Sequence, residues 1–93
     1  MFCAVRIELE LPYAASLKDK RQTLRSLKDR LRHKNVSVVE ADYQDFWQRA
    51  TVEFALAAID RRAVEEKREE VRRALLNYEE LAILEWREEL IKL

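Results

Sequence analysis

The sequence predicts an α+β domain with the element order βαββαβ. Two observations favour this order, and the chain length bears on the number of domains. Apolar and polar residues alternate near the N-terminus and again after residue 49, as they do in strands with one buried face. Two other segments place apolar residues at helical spacing behind a capping residue. The length of 93 residues suits one domain with one two-layer core.

Four strands are predicted from alternation or from clusters of β-branched residues. Residues 2–11 alternate, and Pro12 ends this first strand because proline cannot donate to a sheet ladder. The second strand is the β-branched segment 36–41, and the third is the alternating segment 49–58. The fourth is predicted at 81–87, where an uninterrupted apolar run leaves open which face is buried.

Two helices are predicted from their caps and apolar stripes. Ser16 is suited to be an N-cap, and Asp19 places negative charge at the positive end of the helix dipole. The first helix should run to about Lys34, with Asn35 as a left-handed stop. Asp60 can cap the second helix, whose apolar stripe comprises Val64, Val71, Ala74, Leu75 and Tyr78.

These elements predict a four-stranded antiparallel sheet with both helices on one face, the ferredoxin-like arrangement. The core between the layers should contain Val5, Ile7, Leu24, Leu27, Leu31, Val52, Phe54, Val71 and Leu75. The other sheet face is left open, and the small residues Ala4, Ala55 and Ala57 on it favour a homodimer. The alternative is a solvated face with cross-strand pairs such as Arg6 with Glu53.

The first helix carries a row of basic residues at steps of three and four. We name as the basic row Lys18, Arg21, Arg25, Lys28 and Arg32. It follows, one residue later, the row that should be buried: Leu17, Lys20, Leu24, Leu27 and Leu31. Residues 17–34 contain eight Lys or Arg against two Asp, a net charge of +6 in a chain whose total is zero.

Two interpretations of the basic row are open. Long basic side chains commonly flank a buried stripe with their charged ends in water, and this would make the row a solvated flank. Alternatively, the row is an anion-binding face for the phosphates of a nucleic acid. In the second helix, acids lie at i,i+3 or i,i+4 from the arginines and neutralise them.

The segment 43–49 is a second candidate for interaction. Its aromatic residues can stack on bases or close one end of the core, and we expect Trp47 to cap the core. Polar residues beside it can fix the loop geometry or meet a ligand. The predicted interaction residues of this segment are Gln44, Asp45, Trp47 and Arg49.

Catalytic, metal-binding and cofactor-binding residues are not predicted. The chain has no glycine for a phosphate-cradling loop and only one cysteine and one histidine. We interpret Cys3 as a packed core thiol and His33 as a solvated residue near a helix C-terminus.

The absence of a membrane span or a signal-peptide pattern predicts a cytoplasmic protein. Many charges and no glycine also suit a thermophilic source.

Three blocks of the sequence resemble a known family. They are residues 16–21 (SLKDKR), 35–38 (NVSV) and 44–50 (QDFWQRA). At this spacing they resemble the YlxP-like family of small bacterial proteins, over the whole chain. The resemblance implies the ferredoxin-like fold and a bacterial cytoplasmic setting. Because genes of the family often accompany translation and ribosome-maturation genes, it also implies RNA or a ribonucleoprotein as partner. It implies no agreed activity and no catalytic residue.

Together these inferences predict a non-enzymatic cytoplasmic domain, dimeric, that docks on RNA or a ribonucleoprotein through the basic row. The rival prediction is a protein-interaction module whose working surface is the open sheet face or the segment 43–49. A third, an enzyme acting through Asp42, Asp45 or Arg49, has the least support.

Overall fold

A computed structural model describes residues 1–93 and contains the six elements in the predicted order. They are β1 (Phe2–Glu10), α1 (Leu17–Arg32), β2 (Val38–Asp42), β3 (Arg49–Ala57), α2 (Arg61–Leu76) and β4 (Ala82–Ile91). The strands form one antiparallel sheet in the order β2-β3-β1-β4. The ferredoxin-like α+β fold is therefore confirmed.

The core is a cluster of 18 buried apolar residues to which β1, β3 and both helices contribute. All nine residues predicted for the core belong to it. Burial along β1 alternates strictly, with Cys3, Val5, Ile7 and Leu9 buried. Because both helices pack on this one side, the opposite face of the sheet is left open.

The helix ends follow the predicted capping residues. The Ser16 hydroxyl accepts a hydrogen bond from the backbone N–H of Asp19 at 3.1 Å, and the Asp60 carboxylate caps α2 in the same way. Helix α1 ends at Arg32, slightly before the predicted end. Asn35 is left-handed, with φ 60°, as predicted for a stop.

Two strand boundaries differ from the prediction. Strand β2 begins at Val38 because the backbone N–H of Val36 bonds the Leu31 carbonyl at 2.9 Å and so closes α1. Strand β4 continues past residue 87 to Ile91, because β1 supplies ladder partners as far as Phe2, which lies opposite Ile91. Backbone pairing thus extends the strand through residues whose side chains are charged.

A β-bulge in β4 explains why the apolar run in the sequence does not indicate which face of this strand is buried. Leu9 lies opposite Ile83 and Glu8 opposite Glu85, so β4 has one extra residue, Leu84, at this point. The bulge reverses the alternation, and both Ile83 and Trp86 pack against the core.

Candidate functional site

Helix α1 presents three different surfaces. Its buried face consists of Lys20, Leu24, Leu27 and Leu31. One flank meets the end of α2, where the Ser26 hydroxyl is 3.2 Å from the Tyr78 hydroxyl and Arg30 Cζ lies 4.8 Å from the centre of the Tyr78 ring. The basic row lies on the opposite flank, toward the edge strand β2.

Four residues of the basic row line one cleft beside β2. Arg21, Arg25, Lys28 and Arg32 surround a volume of about 210 Å³. Its other lining residues are Leu24, Asp29 and Glu40. Lys18 precedes these four on the helix and does not line the cleft.

Most of the basic row has no acidic partner. Only Arg32 forms an ion pair, with Asp29 at 3.7 Å. The remaining members make no ion pair and no side-chain hydrogen bond in the structure: Lys18, Arg21, Arg25 and Lys28. Arg25 lies four residues before Asp29 but forms no ion pair with it. The flank is therefore a surface of positive charge that its own side chains leave uncompensated.

Lys20 has a role that the sequence pattern did not predict. Its side chain is buried, and its Nζ lies 2.8 Å from a carboxylate oxygen of Glu40 in β2. The same Nζ donates to the backbone carbonyl of Tyr43. A lysine within an otherwise apolar row was the available signal, since a buried ammonium requires a partner. Lys20 thus ties α1 to β2 and to the segment that follows it.

That segment, residues 43–48, we name the aromatic loop. Tyr43 adopts a left-handed conformation with φ 61°, and its ring meets the Phe46 ring edge to face at 5.4 Å between centres. Arg49 Cζ lies 5.1 Å from the centre of the Tyr43 ring. Phe46 and Trp47 are 59% and 52% exposed. The loop therefore presents two large aromatic side chains to solvent.

The prediction that Trp47 caps the core is wrong. Leu11 and Ala14, both buried, close that end of the core instead. The adjacent Gln48 holds them in place, because its carbonyl accepts from the Leu11 N–H at 2.9 Å and its side-chain amide donates to the Ala14 carbonyl at 3.3 Å. With this end covered, the indole of Trp47 stays outside the core.

The predicted interaction residues of this region only partly converge. Asp45, Trp47 and Arg49 line a depression of about 360 Å³, together with Phe46 and Gln48. Gln44 does not line it, and its side-chain amide lies 3.5 Å from the Glu40 carbonyl. Arg49 is the first residue of β3 and also meets Glu8 at 3.7 Å.

The single cysteine belongs to the core, as predicted. Its Sγ lies 3.8 Å from Glu88, which also accepts hydrogen bonds from Arg68 at 2.7 Å and from the Trp86 indole at 2.9 Å. Burial and the neighbouring Glu88 carboxylate raise the pKa of the Cys3 thiol. Burial also acts to raise the pKa of Glu88, but the bonds from Trp86 and Arg68 outweigh it and lower that pKa. A buried thiol with a raised pKa is a packing group.

His33 occupies the C-cap of α1, where it is exposed, and its Nδ1 lies 2.7 Å from the Asp29 carbonyl. This is the solvated position predicted for it.

The structure contains no group of three or more His, Cys, Asp or Glu side chains placed to hold a metal ion. Neither helix combines the length and the apolar composition that crossing a bilayer requires.

The open sheet face divides into a charged part and an apolar end. In the charged part, Arg6 pairs with Glu53 at 3.2 Å, the cross-strand pair expected under the alternative of a solvated face. The Thr51 hydroxyl donates to the Glu8 carboxylate at 2.9 Å, which leaves Thr51 buried on a face expected to be open. The apolar end contains Phe2, Ala4, Ala55, Ala57 and Ile91.

The fold and these surfaces define a small ferredoxin-like domain with a basic helix flank beside an exposed aromatic loop. Residues 2–88 match the family described as "Protein of unknown function (DUF503)", and the chain therefore belongs to that family. It is 42% identical over 57 residues to "Uncharacterized protein YlxP" of Bacillus subtilis (strain 168). That match spans 60% of this chain and 60% of the relative, less than two thirds of its length. The resemblance to the YlxP-like family is confirmed.

Proposed function

We propose that this chain is a non-enzymatic domain of the bacterial cytoplasm that docks on RNA or a ribonucleoprotein through the basic row of α1. The observation that carries the proposal is the absence of acidic partners for four of its five members. A nucleic-acid backbone supplies regularly spaced negative charges, and lysine and arginine side chains that meet them release bound counterions.

The spacing of the basic row supports this partner. Lys18 and Arg32 are fourteen residues apart on one helix, which corresponds to roughly 21 Å at the helical rise per residue. A row of this length can meet several phosphates in succession. Contacts to phosphates carry no direct information on base sequence, so we expect binding through the row to depend little on that sequence.

The test is the salt dependence of binding to an RNA oligonucleotide. If four or five side chains each meet one phosphate, log K should fall against log salt with a slope of roughly −3 to −5. The double variant Arg21→Glu/Arg25→Glu should lower the affinity at least tenfold at about 0.1 M salt and flatten the slope. Both residues are exposed and lie outside the core, so the variant should remain folded.

The matched control is Arg61→Glu/Arg62→Glu on α2. These arginines are exposed, but each pairs with a glutamate one turn further on, at 2.9 and 3.2 Å. We expect this variant to bind RNA within about twofold of the unmodified protein. Equal binding by both double variants, or no salt-dependent binding by the unmodified protein, would contradict the proposal.

A second candidate function is self-association through the open sheet face. Its support is the apolar end of that face, where Phe2 lies between Ala57 and Ile91 in the sheet register. Beside it, Ala4 and Ala55 line a depression of about 620 Å³. Small side chains allow a second sheet to approach closely, and its apolar surface would leave water on contact.

Sedimentation tests this second candidate. A dimer through the open face should show about twice the chain mass of 11.2 kDa at micromolar concentration. Ala55→Arg should convert it to a monomer, because a charged side chain would be buried against the partner sheet. Ala82→Arg, an exposed position on β4 outside the apolar end, is the control. A monomeric unmodified protein at high concentration would rule this candidate out.

A further inference from the structure

We infer that the aromatic loop is a stacking platform for the bases of single-stranded RNA whose phosphates follow the basic row. The inference rests on the proposed function and names its substrate class. The exposed side chains concerned are Phe46 and Trp47, and the neighbouring cation is Arg49. Sequence-tolerant binding of single strands combines a basic groove for the backbone with aromatic side chains on which bases stack.

Two contacts fix the aromatic loop beside the N-terminal part of the basic row. The first is the buried Lys20, which precedes Arg21 directly and donates to the Tyr43 carbonyl. The second is Gln48, whose side-chain amide donates to the Pro12 and Ala14 carbonyls at 3.3 Å. These carbonyls lie in the segment that leads into the α1 N-cap. The loop is therefore held against the start of the helix that carries the row.

The aromatic side chains are held apart from the core without being covered. The Phe46 ring rests edge to face on the Tyr43 ring, and the backbone N–H of Phe46 donates to the Tyr43 carbonyl at 3.1 Å. Tyr43 is itself covered by the Arg49 guanidinium. These contacts support Phe46, and both Phe46 and Trp47 line a depression of about 360 Å³. A supported aromatic ring offers a face for stacking at a low cost in side-chain entropy.

The arrangement favours single strands over duplex. In A-form RNA the bases are stacked within the helix, and side chains reach mainly phosphates and 2′-hydroxyls. Unpaired bases can leave the stack and lie on aromatic side chains or on an arginine plane. Two exposed aromatic residues with an arginine beside them therefore match a single strand, whereas the basic row alone would accept either form.

The experiment compares a 12-nucleotide single-stranded RNA with a 12-base-pair RNA duplex at fixed salt. Trp47→Ala should lower affinity for the single strand roughly fivefold to a hundredfold, the range for loss of one stacked base. Affinity for the duplex should change less than twofold. The salt slope should stay that of the unmodified protein, because the slope counts phosphate contacts, which the variant retains.

Fluorescence supplies an independent readout. Trp47 is exposed and Trp86 is partly buried, so base stacking should quench a large part of the emission. Trp47→Phe should keep the affinity within about threefold while abolishing the quenching. Leu76→Ala is the control for truncation of an exposed apolar side chain outside the aromatic loop. Leu76 is exposed to a similar extent as Trp47 but lies at the end of α2.

The outcomes separate the two proposals. Loss of single-strand affinity in Trp47→Ala at an unchanged slope supports the stacking platform. Unchanged affinity in Trp47→Ala and Phe46→Ala, together with loss in Arg21→Glu/Arg25→Glu, overturns the platform and leaves the proposed function standing. If the unmodified protein binds neither RNA, both proposals fail. Circular dichroism of each variant excludes misfolding as the cause.

Discussion

Helices α1 and α2 have the same length and the same kind of N-cap, yet they differ in how many of their basic residues are paired with acids. Each spans 16 residues, and each begins behind a side chain that accepts from the backbone three residues on. Helix α1 carries seven basic and two acidic residues, and α2 carries six and four. In α2, Arg61, Arg62 and Arg68 pair with glutamates. In α1, only Arg32 pairs within the helix.

The difference shows that packing on the sheet determines the buried faces of these helices but does not determine the charges on their polar faces. Apolar stripes of similar size hold both helices on the sheet. The intrahelical pairs of α2 each add a few tenths of a kcal/mol, whereas like charges at i,i+4 in α1 cost similar amounts. Stability therefore gives no reason for the basic row, and this is why we relate the row to a partner.

The buried faces should prove equivalent when one leucine is truncated in each. Leu27→Ala in α1 and Leu75→Ala in α2 should each lower the free energy of unfolding by about 2 to 5 kcal/mol, because both side chains are fully buried. Urea denaturation measures the two values. A loss below about 1 kcal/mol in α1 alone would show that the helices are not held in the same way.

The buried ion pair between Lys20 of α1 and Glu40 of β2 gives the next prediction. Replacing one residue of the pair should lower the free energy of unfolding by a different amount than replacing the other. Glu40→Ala should destabilise the domain by about 2 to 4 kcal/mol, because it leaves the Lys20 ammonium buried without its carboxylate. Lys20→Met should cost less, since the apolar chain fills the same space and Glu40 is partly exposed. Chemical denaturation of both variants checks this order. A larger loss for Lys20→Met would contradict it.

The ion pair between Arg68 of α2 and Glu88 of β4 should contribute less to the free energy of unfolding than the Lys20–Glu40 pair does. Its contribution should also depend on pH. Glu88→Gln should lower the stability by about 1 to 3 kcal/mol, since it weakens a charged hydrogen bond with Arg68. The folded pKa of Glu88 is lowered, so its contribution is complete above the unfolded value of about 4.3 and is lost as the pH falls through the folded pKa.

Thermal unfolding of the unmodified protein and of Glu88→Gln between pH 7 and pH 3 measures this dependence. The difference between the two should be constant at neutral pH and should shrink in acid. A difference that stays the same down to pH 3 would mean that the Glu88 charge does not stabilise the fold.

The polar faces should show the smallest effects, with opposite signs. Arg25→Glu places an acid within reach of Arg21 and Lys28, and these two attractions should outweigh its repulsion from Asp29 and raise the stability by a few tenths of a kcal/mol. Glu66→Lys in α2 removes the partner of Arg62 and should lower it by a similar amount. Differential scanning calorimetry at low salt can resolve both changes. A loss of stability in Arg25→Glu would indicate a structural role for the basic row.

Most of the fold could be predicted from the sequence, because its signals are local. The alternation in β1 and β3 and the stripe through Leu24, Leu27 and Leu31 state which side of each element is apolar, and the core follows. Ser16 and Asp60 mark helix starts through contacts only three residues long. The basic row is likewise a feature that local sequence predicts, since it depends only on the period of one helix.

The surroundings of those elements were decided by contacts between distant parts of the chain. The bulge at Leu84 depends on how β4 pairs with β1, and the exposure of Trp47 depends on Leu11 and Ala14 covering the end of the core. Neither feature has a local signal, because strand pairing and core closure join residues that are far apart in sequence.

By itself, the sequence determined which helix is basic and which face of it is buried, because helical periodicity fixes both. Only the tertiary structure decided which groups the inward-facing Lys20 meets, Glu40 and the Tyr43 carbonyl about twenty residues away, and that Arg21 and Arg25 are left without partners. The reason is physical: a buried ammonium needs a carboxylate or carbonyl near it, whereas an exposed one is satisfied by water. Which carboxylate or carbonyl a buried lysine meets depends on the strand that packs beside its helix.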